Sequence, residues 1–123
     1  MSDSQIPLAP PAAPGSGPLT LSDLLGDEEV VYNATQIFDA LSDYTRFQIL
    51  AALMVGERSV GELQEVCSVS QSAISHQLRL LRDRGLVTQR RSGQRSIYAL
   101  ADDHVATLIA VGVEHANEMK TGV

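Results

Sequence analysis

The sequence is poor in cysteine and contains no long apolar run. Cys67 is the single cysteine among 123 residues, which excludes an intramolecular disulfide and any zinc site built from several cysteines. No run approaches the ~20 apolar residues that a membrane-spanning helix needs. The N-terminus also lacks the basic start and apolar stretch of a signal peptide. We therefore expect a cytoplasmic protein with no membrane partner.

Basic residues are absent from the first third of the chain. Residues 1–45 contain seven acids and no Lys or Arg, and the whole chain has a net charge of −6. Residues 70–100, by contrast, contain six arginines and one acid, Asp83, which gives a local charge of +5. Because duplex phosphates attract clustered cations whatever the total charge, this distribution suits a DNA-binding face. A solvated basic face would have the same composition, and charge alone does not decide between them.

Composition divides the chain into a tail and one domain. Residues 1–18 are rich in Pro, Ala, Gly and Ser, offer little to bury and are predicted to be disordered. Residues 19–123 have the length of a single domain with one core. This domain begins with a short segment for which Thr20, Ser22 and Asp23 are candidate caps. Apolar residues at helical spacing then predict two further helices, the later one capped by Ser42 or Asp43 and ended by Gly56. Their apolar residues are Val30, Val31, Ala34, Ile37, Phe38 and Leu41, then Phe47, Ile49, Leu50, Leu53 and Met54.

Residues 59–84 have the pattern of a helix-turn-helix. Ser59 followed by Glu62 predicts a capping box at the start of a short helix, and Cys67–Val69 predicts a tight turn. Ser70 then caps a second helix from Gln71 to about Arg84. The predicted inward residues are Val60, Leu63 and Val66 in the first helix and Ala73, Ile74, Leu78 and Leu81 in the second. Two short helices locked around a tight turn are typical of this DNA-binding motif.

A predicted β-hairpin and a closing helix complete the domain. Gly85 ends the second helix, and Leu86–Arg91 and Arg95–Leu100 alternate apolar and polar residues around a Ser-Gly-Gln turn. A hairpin directly after such a helix is a wing, here residues 86–100. Residues 101–120 predict the closing helix. The expected fold is mainly α with a β-hairpin: a homodimeric winged helix-turn-helix.

The outward residues of the second helix and the wing are the candidate DNA contacts. Short polar groups near a helix N-terminus suit base edges in the major groove, and arginines suit phosphates or guanine. For any one residue, an ordinary solvated side chain is an equal interpretation, and His76 could simply hydrogen-bond locally. Their joint occurrence on one motif favours DNA binding. The candidates are Gln71, Ser72, Ser75, His76, Arg79 and Arg82 on the helix and Arg90, Arg91 and Arg95 on the wing.

The stretch SQSAISHQLRLLRDRGLV and the upstream ALSDYTRFQIL resemble the ArsR/SmtB family of metal-responsive repressors. Tyr44 stands where proline is commoner in that family. The resemblance extends from about Ala34 to Glu118, most of the predicted domain. It implies a winged-helix homodimer that binds double-stranded operator DNA at an inverted repeat and represses nearby genes.

The closing helix carries candidate metal ligands that a single chain cannot combine. His104 and His115 are eleven residues apart, about 1,100° of helix, so they lie within about 20° of one face. Glu118 lies one turn beyond His115 on nearly the same face. The rise between the histidines, about 16 Å, is too long for one zinc ion to bind both. Either histidine alone could be an ordinary surface residue.

An antiparallel second copy would resolve this distance. Packing across an apolar seam of Leu108 and Val111 would bring His104 of one chain to the partner's His115 and Glu118, making two equivalent sites. Two imidazoles and two carboxylates suit zinc, or cobalt as a substitute. The resemblance implies the ligand set Asp102, His104, His115 and Glu118, with Asp103 as an alternative to Asp102. Zinc is therefore the expected effector, with cobalt and nickel as alternatives.

The family's cysteine-based site is absent. Ser59 occupies the position that would hold its cysteine, which argues against sensing of arsenic, lead or cadmium through thiolates. Cys67 lies among apolar residues and is predicted to be a small core residue.

The metal-free dimer is expected to bind the operator, and zinc is expected to weaken that binding. By resemblance, the remaining ring nitrogen of a ligating His115 would bond the carbonyl of Gly85 and relay the change. One alternative is a regulator of the same fold that responds to a non-metal signal, and another is an adaptor that binds proteins. An enzyme, and with it a small organic substrate, has little support, because no glycine-rich phosphate loop or nucleophile elbow is present.

Overall fold

The computed structural model describes residues 17–121. Residues 1–16 of the predicted tail and the last two residues lie outside this range. Within it the helices are α1 Leu21–Leu25, α2 Glu28–Leu41, α3 Tyr44–Val55, α4 Val60–Cys67, α5 Gln71–Asp83 and α6 Asp103–Thr121. The strands are β1 Arg58–Ser59, β2 Val87–Ser92 and β3 Arg95–Leu100. The helices of this range are too short or too polar to cross a membrane.

Side-chain caps begin the helices of the motif where the sequence predicts them. The Asp43 carboxylate accepts from the backbone N–H of Arg46 at the start of α3. Ser59 and Glu62 form the predicted capping box of α4, and Ser70 accepts from Ala73 N–H at the start of α5. These local bonds fix the starts of both α4 and α5 on either side of the tight turn, so the predicted helix-turn-helix is confirmed.

The wing hairpin, β2 and β3, is joined by β1 in a three-stranded antiparallel sheet with the order β1-β3-β2. β2 and β3 close on a two-residue turn, in which Gly93 has a φ of 66°, a left-handed conformation that favours glycine. The hairpin prediction is confirmed. β1 was missed, because two residues, paired with Tyr98 and Ile97, are too few to show alternation. This pairing anchors the wing next to the first residue of α4.

One apolar core joins the helices to the wing. It contains Ala40, Ile49, Leu50, Leu53, Leu63, Cys67, Ile74, Leu78, Leu81, Leu86, Val87, Tyr98, Val105 and Ile109. The predicted inward position of Val66 is wrong: Val66 is 46% exposed, and the neighbouring Cys67 packs inward at 7%. Burial raises the pKa of the Cys67 thiol, so it is protonated at neutral pH and serves as a small core residue.

Three residues predicted on apolar helix faces are exposed. They are Val30 and Phe38 on α2 and Met54 on α3. Helical spacing correctly predicts which residues share a face of the helix. It does not say whether that face packs against the same chain or against another chain.

Arg46 of α3 caps the C-terminal end of α2. Arg46 Nε donates to the carbonyl of Ala40 over 2.8 Å, and its Nη1 donates to Gln77 Oε1 on α5 over 3.0 Å. α2 has no basic residue in its own last turn. The guanidinium therefore offsets the negative end of the helix dipole and binds α2 and α5 to α3.

Replacing Arg46 with Met should lower the free energy of unfolding by about 1–3 kcal/mol, because the half-buried carbonyl and amide oxygens lose a charged donor. Urea unfolding followed by circular dichroism measures this. Arg79→Met is the control, since Arg79 is exposed and makes no side-chain hydrogen bond within residues 17–121; it should change stability by less than about 0.5 kcal/mol. Equal losses in both variants would contradict the assigned role.

Candidate nucleic-acid interface and metal ligands

The polar face of α5 forms one open depression on the surface. Ile74, Leu78 and Leu81 are fully buried on the opposite face and seat the helix on the core. The exposed residues that line the depression are Gln71, Ser72, Ser75, His76 and Arg79. The structure therefore brings five of the nine candidate DNA contacts together, with hydrogen-bonding groups nearest the helix N-terminus, where base edges are read in such motifs.

The remaining candidates differ in their partners. Arg82 hydrogen-bonds Gln89 of β2, and Gln89 in turn donates to Ser96 Oγ over 2.9 Å. Within residues 17–121, Arg91 makes no side-chain hydrogen bond or ion pair and is exposed. Arg90 and Arg95, in contrast, contact acidic residues that the sequence did not single out for this role.

Those acidic partners lie at the start of α4 and just before β1. Arg90 Nη2 is 2.6 Å from Glu57 Oε1, and Arg95 Nη2 is 3.7 Å from Glu62 Oε1. Each pair joins residues 33 positions apart in the sequence, so no local pattern could have revealed it.

Gly85 lies at the junction of α5 and the wing, as predicted. Its φ of 76° is a left-handed conformation that favours glycine. It lines a cleft together with Asp83, Arg84 and residues of α2. Arg84 Nη1 donates to the carbonyl of Gln36 over 2.8 Å and lies 3.5 Å from the Asp39 carboxylate. Within one protomer, Gly85 therefore faces α2, and a contact with His115 stays a prediction.

Asp102 and His104 lie side by side at the start of α6. Asp102 Oδ1 accepts from the backbone N–H of Val105 over 3.2 Å and lies 3.7 Å from His104 Nδ1. Both side chains are more than half exposed. Two ligands of a tetrahedral zinc ion with bonds near 2.0 Å lie about 3.3 Å apart. The pair therefore fits two corners of such a site, and Asp102, rather than Asp103, is the carboxylate placed beside the imidazole.

His115 and Glu118 are exposed further along α6, with Leu108 and Val111 half-buried between the two histidines. Within the described part of one protomer, no three His, Cys, Asp or Glu residues come close enough to hold a metal ion. A four-ligand site from the predicted residues therefore needs a second copy of the chain.

Large apolar side chains are exposed on the helices outside the DNA-reading motif. They are Leu21, Leu24 and Leu25 of α1, Val30, Tyr32 and Phe38 of α2, Tyr44, Met54 and Val55 of α3, and Val113 and Met119 of α6. Exposed apolar side chains of this kind are typical of surfaces that bind a partner.

Comparison with known sequences identifies the motif independently. The family model described as "Bacterial regulatory protein, arsR family" matches residues 43–89, from the cap of α3 into β2. The HTH-type transcriptional regulator NmtR of Mycobacterium tuberculosis is 36% identical over 97 residues, which are 79% of this chain and 81% of that protein. The transcriptional repressor SmtB homolog of Synechocystis is 42% identical over 83 residues, which are 68% of this chain and 63% of that protein.

Comparison with solved structures gives the same fold. The solution structure of the homodimeric winged helix-turn-helix DNA-binding domain Mb0332 from Mycobacterium bovis superposes with a TM-score of 0.73 at 30% identity. The match covers 77% of this chain and 88% of that one. The first two relatives are a transcriptional regulator and a homolog of a transcriptional repressor, and the third is a possible transcriptional regulator; none of the three is described as an enzyme. The chain has the winged helix-turn-helix fold and belongs to the arsR family of bacterial regulatory proteins.

Proposed function

We propose that the protein is a dimeric transcriptional repressor whose operator binding is weakened when zinc binds between the two copies of α6. The observation that carries the proposal is the contact of Asp102 with His104 at the start of α6, while His115 and Glu118 lie too far along the helix to bind the same ion within one chain. The DNA-reading face lies on a different helix, α5.

The arrangement of charge supports binding to duplex DNA. The exposed depression on α5 offers amide, hydroxyl and imidazole groups. Arg79, Arg82 and Arg91 have no acidic partner within residues 17–121 and remain available for phosphates. A two-fold dimer would present two such faces, which suits an inverted repeat. We propose that the protein acts in the cytoplasm, where a bacterial regulator meets its DNA.

The exposed apolar residues of α1, α2 and α6 support the dimer. A homodimeric relative has the same fold. Antiparallel packing along Leu108 and Val111 would join Asp102 and His104 of one protomer to the partner's His115 and Glu118, giving two equivalent sites. When bound, a zinc ion would link the two protomers through these four side chains.

Because metal and DNA would bind different helices, the proposed control is a coupling free energy, typically about 1–3 kcal/mol. The coupling must be reciprocal, so that DNA weakens zinc binding by the same factor. In the proposed relay, the second ring nitrogen of His115 reaches the carbonyl of Gly85. The bond from Arg84 to Gln36 lies next to this position and ties it to α2.

The test is DNA affinity with and without metal. A preferred duplex is first selected by the metal-free protein from a pool of random sequences, and its Kd is then measured with chelator, zinc, cobalt or nickel. We expect zinc to raise the Kd about 5- to 150-fold. Equal Kd values with zinc and chelator would reject metal control and leave a regulator that responds to a non-metal signal. Failure to enrich any duplex would reject DNA binding and favour a protein-binding adaptor.

A further inference from the structure

We propose that Arg90 and Arg95 are positioning residues that clamp the wing to the start of α4, and that Arg91 is the wing residue that contacts DNA phosphates. This inference rests on the DNA-binding part of the proposed function. The three arginines of the wing thus have two different roles, which follow from their partners in the folded chain.

Arg90 projects from β2 to Glu57, which lies between α3 and β1. The contact of 2.6 Å is a charge-assisted hydrogen bond that cancels the charge of Arg90 locally. Arg90 holds the pKa of the Glu57 carboxyl below its ordinary value. The pair is therefore fully ionised at neutral pH and is lost only as the pH falls through that lowered pKa.

Arg95 reaches the same region from the other strand of the hairpin. Its Nη2 donates to Ser59 Oγ over 2.7 Å and lies 3.7 Å from Glu62. Ser59 and Glu62 are the two members of the capping box that starts α4. Arg95 thus links the wing to the side chains that fix the first helix of the motif.

The base of the wing packs into the core through Leu86, Val87 and Tyr98, whereas the outer part of the hairpin is less covered. β2 is an edge strand of the sheet, and its residues 88–92 are exposed. β3 is joined to the start of α4 by the two residue pairs of β1. An isolated two-stranded hairpin is marginal in water, so contacts at the side of its exposed part add to the support that the core gives at its base. Arg90 and Arg95 supply one such contact from each strand.

Arg91 lies between these clamps in a different environment. Successive side chains of a strand point to opposite faces, so Arg91 points away from the face on which Arg90 meets Glu57. It is exposed and makes no ion pair within the described part of the chain. Its full charge remains available for a phosphate.

The salt dependence of DNA binding separates the two roles. The probe is a labelled random-sequence duplex of about 30 base pairs, titrated with the full-length protein at several KCl concentrations, because each phosphate contact adds about 0.9 to the slope of log K against log salt. Arg91→Gln should lower the magnitude of the slope by about 2 for a dimer. Arg90→Gln should change the slope much less than Arg91→Gln does and weaken binding about three- to tenfold at the lowest salt concentration, because salt screens an exposed ion pair.

A charge-swapped variant provides the rescue. Arg90→Glu combined with Glu57→Arg rebuilds the ion pair with opposite polarity and should restore the affinity to within about twofold of wild type. A slope change in Arg90→Gln as large as that in Arg91→Gln would overturn the proposal, and so would wild-type affinity in Arg90→Gln.

Amide hydrogen exchange in the DNA-free protein tests the clamp independently of DNA. Arg90→Gln and Glu57→Gln should speed exchange of the amides of β2 and β3, whereas Arg91→Gln should not. Unchanged exchange in Arg90→Gln would overturn the clamp. If the wild-type protein binds no duplex, the proposed function and the role of Arg91 both fail, while the exchange rates still decide the clamp.

Discussion

His115→Ala is expected to abolish the effect of zinc on DNA binding and to leave the metal-free affinity at its wild-type value. His115 lies on α6 and is exposed, away from the depression on α5. Removing one of four ligands leaves an incomplete tetrahedral set, and the proposed relay to Gly85 disappears with the imidazole. The measurement is the Kd of the selected duplex with zinc and with chelator. The ratio of the two should fall from about 5–150 to near 1.

Mixed dimers give a sharper form of the same test. A His104→Ala protomer paired with a His115→Ala protomer loses both histidines from one inter-subunit site and keeps the other site intact. Each homodimer, by contrast, lacks one histidine in both sites. Differently tagged chains, refolded together and purified as the mixed dimer, should therefore bind half the wild-type amount of tightly held zinc. Equal loss in the mixed dimer and the homodimers would contradict ligands shared between protomers.

His76→Ala is the matched control on the reading helix. His76 is exposed in the α5 depression and lies outside the proposed ligand set. Its loss should weaken DNA binding by removing a groove contact and should leave zinc stoichiometry unchanged. A His76 variant that loses zinc, or a His115 variant that loses metal-free DNA binding, would show that the two functions are not separated between α5 and α6.

Local chemistry explains why much of the fold could be predicted. Capping boxes, a helix-ending glycine and an alternating hairpin act over fewer than about ten residues, and all of these are visible in the sequence. Ser59 with Glu62, Ser70 and Gly93 have the predicted roles. The polar face of α5 could be predicted for the same reason, since helical spacing alone brings Gln71, Ser75 and Arg79 together.

Most of what could not be predicted concerns contacts between distant segments. Arg90 stays a predicted DNA contact, but its ion pair with Glu57, 33 residues away in the sequence, could not be predicted from a local pattern. Arg46 meets Gln77 over 31 residues by the same kind of long-range contact. Val66 and Cys67 are adjacent on a short helix, about 100° apart around its axis, and the spacing of so few apolar residues does not decide which of them is buried. The metal site cannot be completed within one chain at all.

Leu78→Ala is expected to cause the largest loss of stability among the substitutions considered. Leu78 is fully buried on the core side of α5, between Ile74 and Leu81. Removing its side chain leaves a cavity as well as losing buried apolar area, and such changes typically cost about 2–5 kcal/mol. The measurement is urea unfolding of the purified protein, with the midpoint and slope analysed separately.

Val66→Ala is the control for this change, because it removes an apolar side chain that is 46% exposed on the neighbouring helix, α4. It should cost less than about 1 kcal/mol, since little area is uncovered and no cavity forms.

Leu78→Ala should also weaken DNA binding under conditions in which the protein is still folded. The buried face of α5 loses packing contacts with the core, so its polar face is positioned less firmly. Zinc stoichiometry should persist, since the ligands lie on α6. Equal destabilisation by the two variants would contradict the burial of Leu78, and loss of zinc under folded conditions would contradict the separation of the two sites.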